Sequence, residues 1–333
     1  MKTTDIYILN VGAGSCIVAK HPSGRASMID INNGGELRDY EYSSGAADSV
    51  HAALSEAAAA KAELTNPIDW YRRWIGPDLW RFVLSHPDAD HMSGLRCLFD
   101  GHISPTVFWD LEHSKPLADE SDYQNDSAYH DALWYHLWRT GNARPDYAKA
   151  WPQRISPLRF ASRDFWAQDE IEILSPSRNL LTDRDASHDW NNMSYVLRIN
   201  YGGRSVLIPG DVEETGWDDL AAACDDNDIS LKTDVLVASH HGRRSGYPEN
   251  GVLAQIDPHA VIVSAGKMDA AHDAIRRYRD NVEHVYSTRT EGSLLIRLRE
   301  DGSLAIWRGV DTFEDDDLAI LLDLAASARS LSH

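Results

Sequence analysis

An apolar stretch, residues 80 to 85 (WRFVLS), leads directly into the polar sequence His86-Pro87-Asp88-Ala89-Asp90-His91. The apolar stretch has the length and composition of a buried β-strand, so the polar residues lie where the chain leaves a sheet. Two histidines and two aspartates, residue types that bind metal ions, fall within six positions there. The combination predicts a metal site in a loop at a strand end.

The spacing of these four side chains suits two ions rather than one. Alternate residues of an extended loop point the same way, so His86 and Asp88 can share one ion. A turn after them can aim Asp90 and His91 at a second, neighbouring ion. The alternative is an ordinary polar loop, or a helix cap made by Asp88 or Asp90, but such loops seldom contain so many ligand types.

Two further strand ends carry residues of the same kinds. Asp211 follows a hairpin of two apolar strands, residues 194 to 200 and 204 to 209, and could place a carboxylate between two cations. His240 and His241 follow another apolar strand. Each feature alone is compatible with a surface turn. Three strand ends that carry histidine or aspartate favour one shared site.

Apolar runs of strand length recur along the chain, and many are bounded by turn residues. The predicted strands are residues 5–11, 15–20, 26–31, 80–85, 105–109, 170–174, 194–200, 204–209, 233–239, 259–264, 284–288, 292–298 and 303–308. Helices are predicted at residues 46–63, 119–140 and 268–281. Hairpins early and late with helices between them predict an α/β protein in which two mixed sheets pack together, with helices outside.

These motifs and their order resemble the metallo-β-lactamase fold. The matching residues are Val11-Gly12-Ala13-Gly14, Ile29-Asp30, the loop 86–91, Asn191-Asn192-Met193-Ser194, Gly210-Asp211 and His240-His241-Gly242. Within this fold, the sequence is most similar to the branch that contains the β-lactamase-like domain of the ComEC/Rec2 competence proteins and the related choline-phosphate esterases. The resemblance spans roughly half to two thirds of the chain. It implies an αββα sandwich of two mixed sheets with outer helices.

On this basis, residues 1–310 are expected to form one metallo-β-lactamase-like domain. Helical insertions are expected at about 34–78 and 110–169, where the strand pattern is interrupted. Residues 311–333 are expected to form an acidic tail with a short amphipathic helix from Leu318 to Leu331.

The resemblance implies a first metal site formed by His86, Asp88 and Asn191. Many members of the family have a histidine where this chain has Asn191, and His188 is the alternative if its loop bulges. Asp30, at the end of its strand, resembles the family's aspartate that supports a metal ligand without binding the ion.

The second ion would be held by Asp90, His91 and His241, with Asp211 bridging both ions. The choice between His240 and His241 as the ligand stays open, and the other histidine would hydrogen-bond a substrate oxygen. Catalysis would then depend on Asp90, Asp211 and His240 beside the ions.

Arg243 and Arg244 follow the histidine pair and could bind a phosphate of the substrate, although a solvated loop is equally compatible with them. Relatives usually have serine directly after His-His-Gly. They also often have Gln and Asp where this chain has Ala13 and Ser15. These departures leave the exact role of both loops open.

The implied ligands determine the chemistry that we expect. Two divalent ions outweigh the charges of Asp88, Asp90 and Asp211 by one unit until a bridging hydroxide neutralises the site. Such a site can activate water and hold an anion, which favours a binuclear phosphodiesterase or nuclease-like phosphoesterase. Carboxylates and an amide outnumber imidazoles among the ligands, so Mn²⁺ rivals Zn²⁺. The alternatives are a carboxylic ester, thioester or lactone hydrolase, or a non-catalytic metal-binding interaction protein.

The composition is that of a folded protein, and the charge constrains its partners. Hydrophobic residues make up 43% and charged residues 25% of the chain, which excludes disordered and fibrous classes. The net charge of −20 disfavours long nucleic acid, so the expected substrate is a phosphoester such as a nucleotide or a short nucleic acid. The insertions or the tail could hold a protein partner. No apolar run reaches the ~18 residues of a membrane span and no signal peptide is evident, so we expect a cytoplasmic protein without a membrane partner.

Overall fold

The computed structural model describes residues 2–32, 64–100, 103–123, 125–141, 152–161, 164–249, 251–266, 268–310 and 319–325. Within these ranges, the strands are β1 (Thr3–Ile8), β2 (Ile17–Lys20), β3 (Ala26–Ile29), β4 (Leu79–Val83), β5 (Pro105–Trp109), β6 (Gln153–Ile155), β7 (Ile171–Ser175), β8 (Val196–Tyr201), β9 (Arg204–Ile208), β10 (Val235–Val237), β11 (Ala260–Val263), β12 (His284–Ser287), β13 (Leu294–Arg299), β14 (Leu304–Arg308) and β15 (Ala319–Leu324). All the strands predicted from sequence are present, each within a few residues of its predicted bounds.

Helices connect the strands in the same described ranges. They are α1 (Pro67–Trp74), α2 (Ala89–Met92), α3 (Leu95–Asp100), α4 (Asp126–Arg139), α5 (Asp164–Ala167), α6 (Arg178–Ala186), α7 (Glu214–Asp226), α8 (Val252–Ile256), α9 (Ile275–Asn281) and α10 (Thr288–Glu291). Short 3₁₀ turns lie at Glu120–Asp122, Asn191–Met193, Ser239–Gly242 and Arg244–Gly246. None of these helices combines the length and the apolar character that crossing a bilayer requires.

The strands form two mixed sheets, as predicted. The first has the order β15-β14-β13-β1-β2-β3-β4-β5-β6, and the second has the order β12-β11-β10-β9-β8-β7. In the first sheet, β3 to β6 pair in parallel and the other neighbours are antiparallel. In the second, β9 to β12 are parallel, whereas β7, β8 and β9 are antiparallel.

The hydrophobic core is divided into layers because each sheet is buried on both faces, one against the other sheet and one against helices. In β1, Ile6 and Ile8 belong to the cluster that fills the space between the sheets, whereas Tyr7 belongs to the cluster on the outer face. Tyr7 contacts Trp70 of α1 there, with ring centroids 4.8 Å apart. On the outer face of the second sheet, Trp217 of α7 is fully buried. The result is an arrangement of helix, sheet, sheet and helix layers.

The predicted insertions are only partly described, and one contains a strand. The predicted helix 46–63 lies outside the described residues, but α1 begins just after it, with Asn66 as N-cap and Pro67 in the first turn. In the segment 110–169, α4 matches the predicted helix, although residues 120–122 form a separate 3₁₀ turn. The same segment contains β6, which extends the first sheet.

The helix predicted from Leu318 to Leu331 is wrong where the tail is described. Ala319–Leu324 is instead strand β15, antiparallel to β14. An apolar pattern as short as this one fits a helix or a strand, and the open edge of β14 decides between them because its backbone groups need partners. Leu322 is 8% exposed and joins the core between the sheets. The acidic run Glu314-Asp315-Asp316-Asp317 lies outside the described residues.

A buried charged cluster lies beside strand β4 of the first sheet, and sequence analysis did not anticipate it. Arg81 of β4 is fully buried, and its Nη2 lies 3.0 Å from Oδ2 of Asp169, which is also fully buried. Arg81 Nη1 donates to Ser27 Oγ at 2.8 Å, and the guanidinium lies 4.9 Å from the Trp109 ring. Nε2 of His21 lies 2.9 Å from the same Ser27 hydroxyl. We call these five residues the Arg81–Asp169 cluster.

Stability should fall in acid partly through His21. Burial is the main cause that lowers the pKa of His21 to about 4, and Arg81 lowers it further against the opposite effect of Asp169. Between this value and the ordinary ~6.5, the unfolded chain binds more protons than the folded chain, so acid favours unfolding. The free energy of unfolding should fall between pH 7 and pH 4.5 in both proteins. In His21→Gln this fall should be about 2–3 kcal/mol smaller than in the wild type. Urea titrations at both pH values, with chelator present, measure this difference. Parallel pH dependences would contradict it.

Candidate metal centre

The predicted ligand loops meet at one end of the sandwich. Asp30 follows β3, and the loop 86–91 follows β4 in the same sheet. Asp211 follows β9, and the histidine pair 240–241 follows β10 in the second sheet. The site is therefore assembled from both sheets, at the carboxyl ends of strands whose own burial fixes their positions.

Four side chains converge at the centre of the site. Nε2 of His91 lies 3.1 Å from Nε2 of His241 and 3.2 Å from Oδ2 of Asp211. Nε2 of His241 lies 3.4 Å from Oδ2 of Asp90 and 3.5 Å from Oδ2 of Asp211. Two imidazoles and two carboxylates thus point their ligand atoms at a common space, an arrangement that suits a cation.

His86 supplies the clearest test of whether a metal ion fits. Its Nε2 is buried and has no hydrogen-bond partner within the described part of the chain. This atom lies 3.8 Å from Oδ1 of Asp88 and 3.9 Å from Oδ2 of Asp211, while Nδ1 contacts Ser85 Oγ at 3.0 Å. Burying a polar atom without a partner costs free energy. An ion between His86 and Asp211 would remove that cost, so the residues fit a metal.

The donor atoms form two overlapping groups. His86, His91 and Asp211 form one, and Asp90, His91 and His241 form the other; within each group, all donor atoms lie within 4.8 Å of one another. His91 therefore belongs to both groups, whereas the resemblance assigned it to the second ion alone. The division of these residues between two ions stays a prediction.

Asp30 holds the central histidine in place. Its side chain is buried, with Oδ2 2.8 Å from Nδ1 of His91, and its Oδ1 accepts a hydrogen bond from the Ser85 backbone N–H at 2.7 Å. A carboxylate on one ring nitrogen fixes the orientation of an imidazole and leaves the other nitrogen for an ion. Asp30 itself has a left-handed backbone, with φ 58°.

The histidines and carboxylates of the site stabilise one another's charged forms. Burial opposes the charged form of His91, but the carboxylates of Asp211 and Asp30 outweigh it and raise the pKa of His91 well above its usual value. Burial also opposes ionisation of Asp211, yet His91 and His241 hold the pKa of that carboxyl well below its usual value. Asp211 therefore stays anionic at neutral pH.

The two neighbouring histidines occupy different positions. His241 is buried inside the cluster, whereas His240 is half-buried at its rim, with Nε2 3.7 Å from Oδ2 of Asp211 and Nδ1 3.1 Å from Oε1 of Glu213. Both have left-handed backbones, with φ 50° and 55°, and Gly242 follows with φ 78°. The turn is held by the His240 backbone N–H, which donates to the carbonyl of Gly210 at 3.1 Å.

Two further residues, Asn191 and His188, are the alternative ligands that the sequence offers for the first ion. Asn191 is half-buried in its 3₁₀ turn, and its ligand role stays a prediction. The His188 ring is exposed and stacks on Trp190, with centroids 5.2 Å apart. Asn192 has a structural role because its Oδ1 accepts hydrogen bonds from backbone N–H groups of Glu213 at 2.8 Å and Gly216 at 3.1 Å.

Arg243 and Arg244 lie beyond the histidine turn and are exposed. The Nε of Arg244 donates to the backbone carbonyl of Asp273 at 3.4 Å, and Arg243 forms an isolated β-bridge with the same residue. These contacts direct the pair toward a neighbouring loop, and their role in substrate binding stays a prediction.

Sequence analysis missed Lys115. The Nζ of Lys115 donates to Oδ1 of Asp88, and it lies 4.8 Å from the centroid of the Trp190 ring. Lys115 belongs to the segment predicted as an insertion, and nothing in its sequence context distinguishes it from a surface lysine. Only the path of the chain brings it to the ligand loop.

No family model matches the sequence, but two proteins are similar to part of it. Competence protein ComA of Neisseria gonorrhoeae is 29% identical over 162 residues, and ComE operon protein 3 of Bacillus subtilis (strain 168) is 28% identical over 127 residues. The matches cover 47% and 37% of this chain but only 21% and 16% of the two relatives. The chain thus corresponds to a minor part of each relative's length.

Two solved structures resemble the chain more broadly but at low identity. A diphosphatase from the PhnP family superposes with a TM-score of 0.39 and 10% identity, covering 88% of this chain and 97% of that chain. A long-form RNase Z from yeast gives a TM-score of 0.40 and 11% identity, covering 88% and 42%. At this low similarity, the activity of neither protein can be assigned to this chain.

The architecture, the motif order and the sequence matches agree with one another. Two mixed sheets pack face to face between helix layers, and the histidine and aspartate motifs lie at strand ends in the order that the resemblance implies. The sequence matches are to one competence protein and one ComE operon protein. The chain therefore has a sandwich of two mixed sheets between helix layers, the architecture that its resemblance to the metallo-β-lactamase fold implies, and part of it is similar to Competence protein ComA and ComE operon protein 3.

Proposed function

We propose that this protein is a binuclear metal-dependent hydrolase of phosphoesters, most active on phosphodiesters. The observation that carries the proposal is the convergence of the loops from both sheets on one space, next to a buried imidazole nitrogen of His86 that has no hydrogen-bond partner in the described residues. When bound there, two divalent ions would supply a nucleophile from water near neutral pH and offset negative charge on a phosphoryl group.

The protein's own residues would hold and orient the reacting groups. His86, Asp88 and Asn191 would hold one ion, Asp90, His91 and His241 the other, and Asp211 would contact both. Asp30 keeps the His91 ring in one orientation. His240, at the rim, would donate a hydrogen bond to a substrate oxygen, with Glu213 fixing its ring. Arg243 and Arg244 would contact a flanking phosphate.

We propose Mn²⁺ as a metal at least as effective as Zn²⁺, because carboxylate and amide oxygens outnumber imidazole nitrogens in the proposed ligand set. We also propose a small substrate, such as a nucleotide or a short nucleic acid. A long duplex would place many phosphates against a chain with a net charge of −20.

The test uses chelated protein reloaded with measured amounts of Mn²⁺ or Zn²⁺. The substrates are bis(p-nitrophenyl) phosphate, a choline phosphodiester, short single-stranded DNA, long duplex DNA and a lactone. We expect chelation to abolish hydrolysis and lower the melting temperature, since ions that bind only the folded chain stabilise it. We also expect Mn²⁺ to restore at least as much phosphodiester hydrolysis as Zn²⁺, with short substrates preferred to the duplex.

Other outcomes of this test would point to other functions. Hydrolysis of the lactone without the phosphodiesters would favour a carboxylic ester, thioester or lactone hydrolase. Tight metal binding without turnover of any substrate would favour a metal-binding interaction protein. Efficient cleavage of long duplex DNA at physiological salt would overturn the proposal on substrate size.

A further inference from the structure

A cleft outside the metal cluster opens beside Asp88. It lies between the segment 111–123 and helix α4 and has a volume of about 210 Å³. This is several times the ~30 Å³ that a water molecule occupies in the liquid, so the cleft can hold a ring-sized organic group. Asp88 lines the cleft and also lies 3.8 Å from the ligand nitrogen of His86. The cleft therefore borders, through Asp88, the site where a phosphoryl group would bind.

The wall of the cleft is largely apolar and aromatic. Met92, Leu117, Ala118 and Ala132 contribute aliphatic surface, and Tyr123 contributes an aromatic side chain. Such walls favour a flat or aliphatic group over water.

The polar groups at the back of the cleft already bind one another. Tyr135 Oη donates to Asp110 Oδ1 at 2.5 Å, and Arg139 Nε donates to Asp110 Oδ2 at 3.2 Å. His113 Nε2 contacts Tyr135 Oη at 2.9 Å, and burial together with Arg139 lowers the pKa of His113 to about 3, so its ring is neutral. This network gives the cleft a fixed back wall.

Lys115 lies where the cleft meets the metal cluster. It lines the cleft and donates to Asp88, one of the proposed ligands. Its Nζ also lies 4.8 Å from the Trp190 ring, which restricts its position. An ammonium group at this junction faces the place where the charged oxygens of a bound phosphoryl group would lie.

We propose that this cleft receives the organic group on one side of a phosphodiester and that Lys115 binds a non-bridging phosphoryl oxygen. This inference rests on the proposed function and names the substrate class more closely. In a phosphodiester with a ring-bearing group, such as a nucleoside or aryl group, the ring fills the cleft while the phosphoryl oxygen contacts Lys115. A phosphate without such a group leaves the apolar wall in water.

The first test measures binding of phenylphosphonate and methylphosphonate to Mn²⁺-loaded protein by calorimetry. The two probes share their charged group, so their affinity ratio reports the ring alone. We expect phenylphosphonate to bind the wild type at least about tenfold more tightly. Ala118→Trp, which fills the cleft from an exposed position, and Tyr123→Ala, which removes one wall, should each bring the ratio close to one. Ala222→Trp on the exposed face of α7 is the matched control and should keep the ratio.

The second test concerns the charge. Lys115→Gln should weaken both phosphonates by a similar factor, about tenfold, and Lys115→Arg should recover most of that affinity. Metal content is measured in each variant because Lys115 contacts Asp88. Lys232→Gln, which removes an exposed lysine that pairs with Asp257, is the control and should change neither affinity.

The outcomes separate this inference from the proposed function. A wild-type ratio near one, a ratio unchanged in Ala118→Trp and Tyr123→Ala, or unchanged affinity in Lys115→Gln would overturn the inference even if phosphodiesters are hydrolysed. Phosphonate binding that follows the expected pattern without turnover of any phosphoester would instead keep the cleft assignment and overturn the hydrolase proposal.

Discussion

Asp211→Asn is expected to lower kcat for phosphodiester hydrolysis at least about 10³-fold, because it removes the charge between the two proposed ions. Oδ2 of Asp211 lies 3.2 Å from Nε2 of His91, 3.5 Å from Nε2 of His241 and 3.9 Å from Nε2 of His86. Asparagine has the same shape, and the strands on either side are held by their own apolar burial. The chain should therefore still fold. Turnover by wild type and variant at matched metal content measures the effect.

Asp219→Asn is the matched control for this experiment. Asp219 lies on α7, pairs with Arg184 and is 45% exposed, so its loss should leave turnover unchanged. Far-UV circular dichroism checks that both variants are folded. Wild-type turnover by Asp211→Asn at equal metal content would rule out the bridging role.

Arg81→Met is expected to lower the free energy of unfolding by about 3–5 kcal/mol. Both Arg81 and Asp169 are fully buried, so the substitution leaves a carboxylate in the core without its main cation. The double variant Arg81→Met with Asp169→Leu should recover much of the loss, because the second change removes the uncompensated charge. Urea denaturation of the three proteins measures these differences.

Lys232→Met provides the comparison at the surface. Both Lys232 and Asp257 are 66% exposed, so the loss of this ion pair should leave the free energy of unfolding almost unchanged. A similar small loss in Arg81→Met would show that the Arg81–Asp169 cluster does not stabilise the sheet.

The sequence predicted the strands and the ligand loops because both are encoded locally. An apolar run such as 80–85 can be identified without knowledge of its neighbours, and the polar residues directly after it mark the strand end. Asp211 and His241 could be assigned to the same site because each follows a strand, and the ends of neighbouring strands meet.

The features that were missed depend on contacts between distant residues. Arg81 looks like a solvent-facing residue of its strand until Asp169, 88 positions away, is placed beside it. Lys115 contacts Asp88 only because the segment before α4 folds back over the ligand loop. The tail was predicted as a helix because its apolar pattern does not reveal the open edge of β14.

The left-handed backbones at Asp30, His240 and His241 imply a conflict between the stability of the chain and the proposed metal site. For a residue other than glycine, this conformation costs about 1–3 kcal/mol, and glycine relieves most of the cost. The next residue of the same turn, Gly242, is a glycine with a left-handed backbone. A Cβ at this position would lie 2.5 Å from Cγ1 of Val263. Selection for stability alone would favour glycine at the neighbouring positions as well. In the proposed metal site, these three positions carry a ligand, a substrate-binding histidine and the carboxylate that orients His91. Glycine substitutions that stabilise the chain should therefore abolish the proposed hydrolysis.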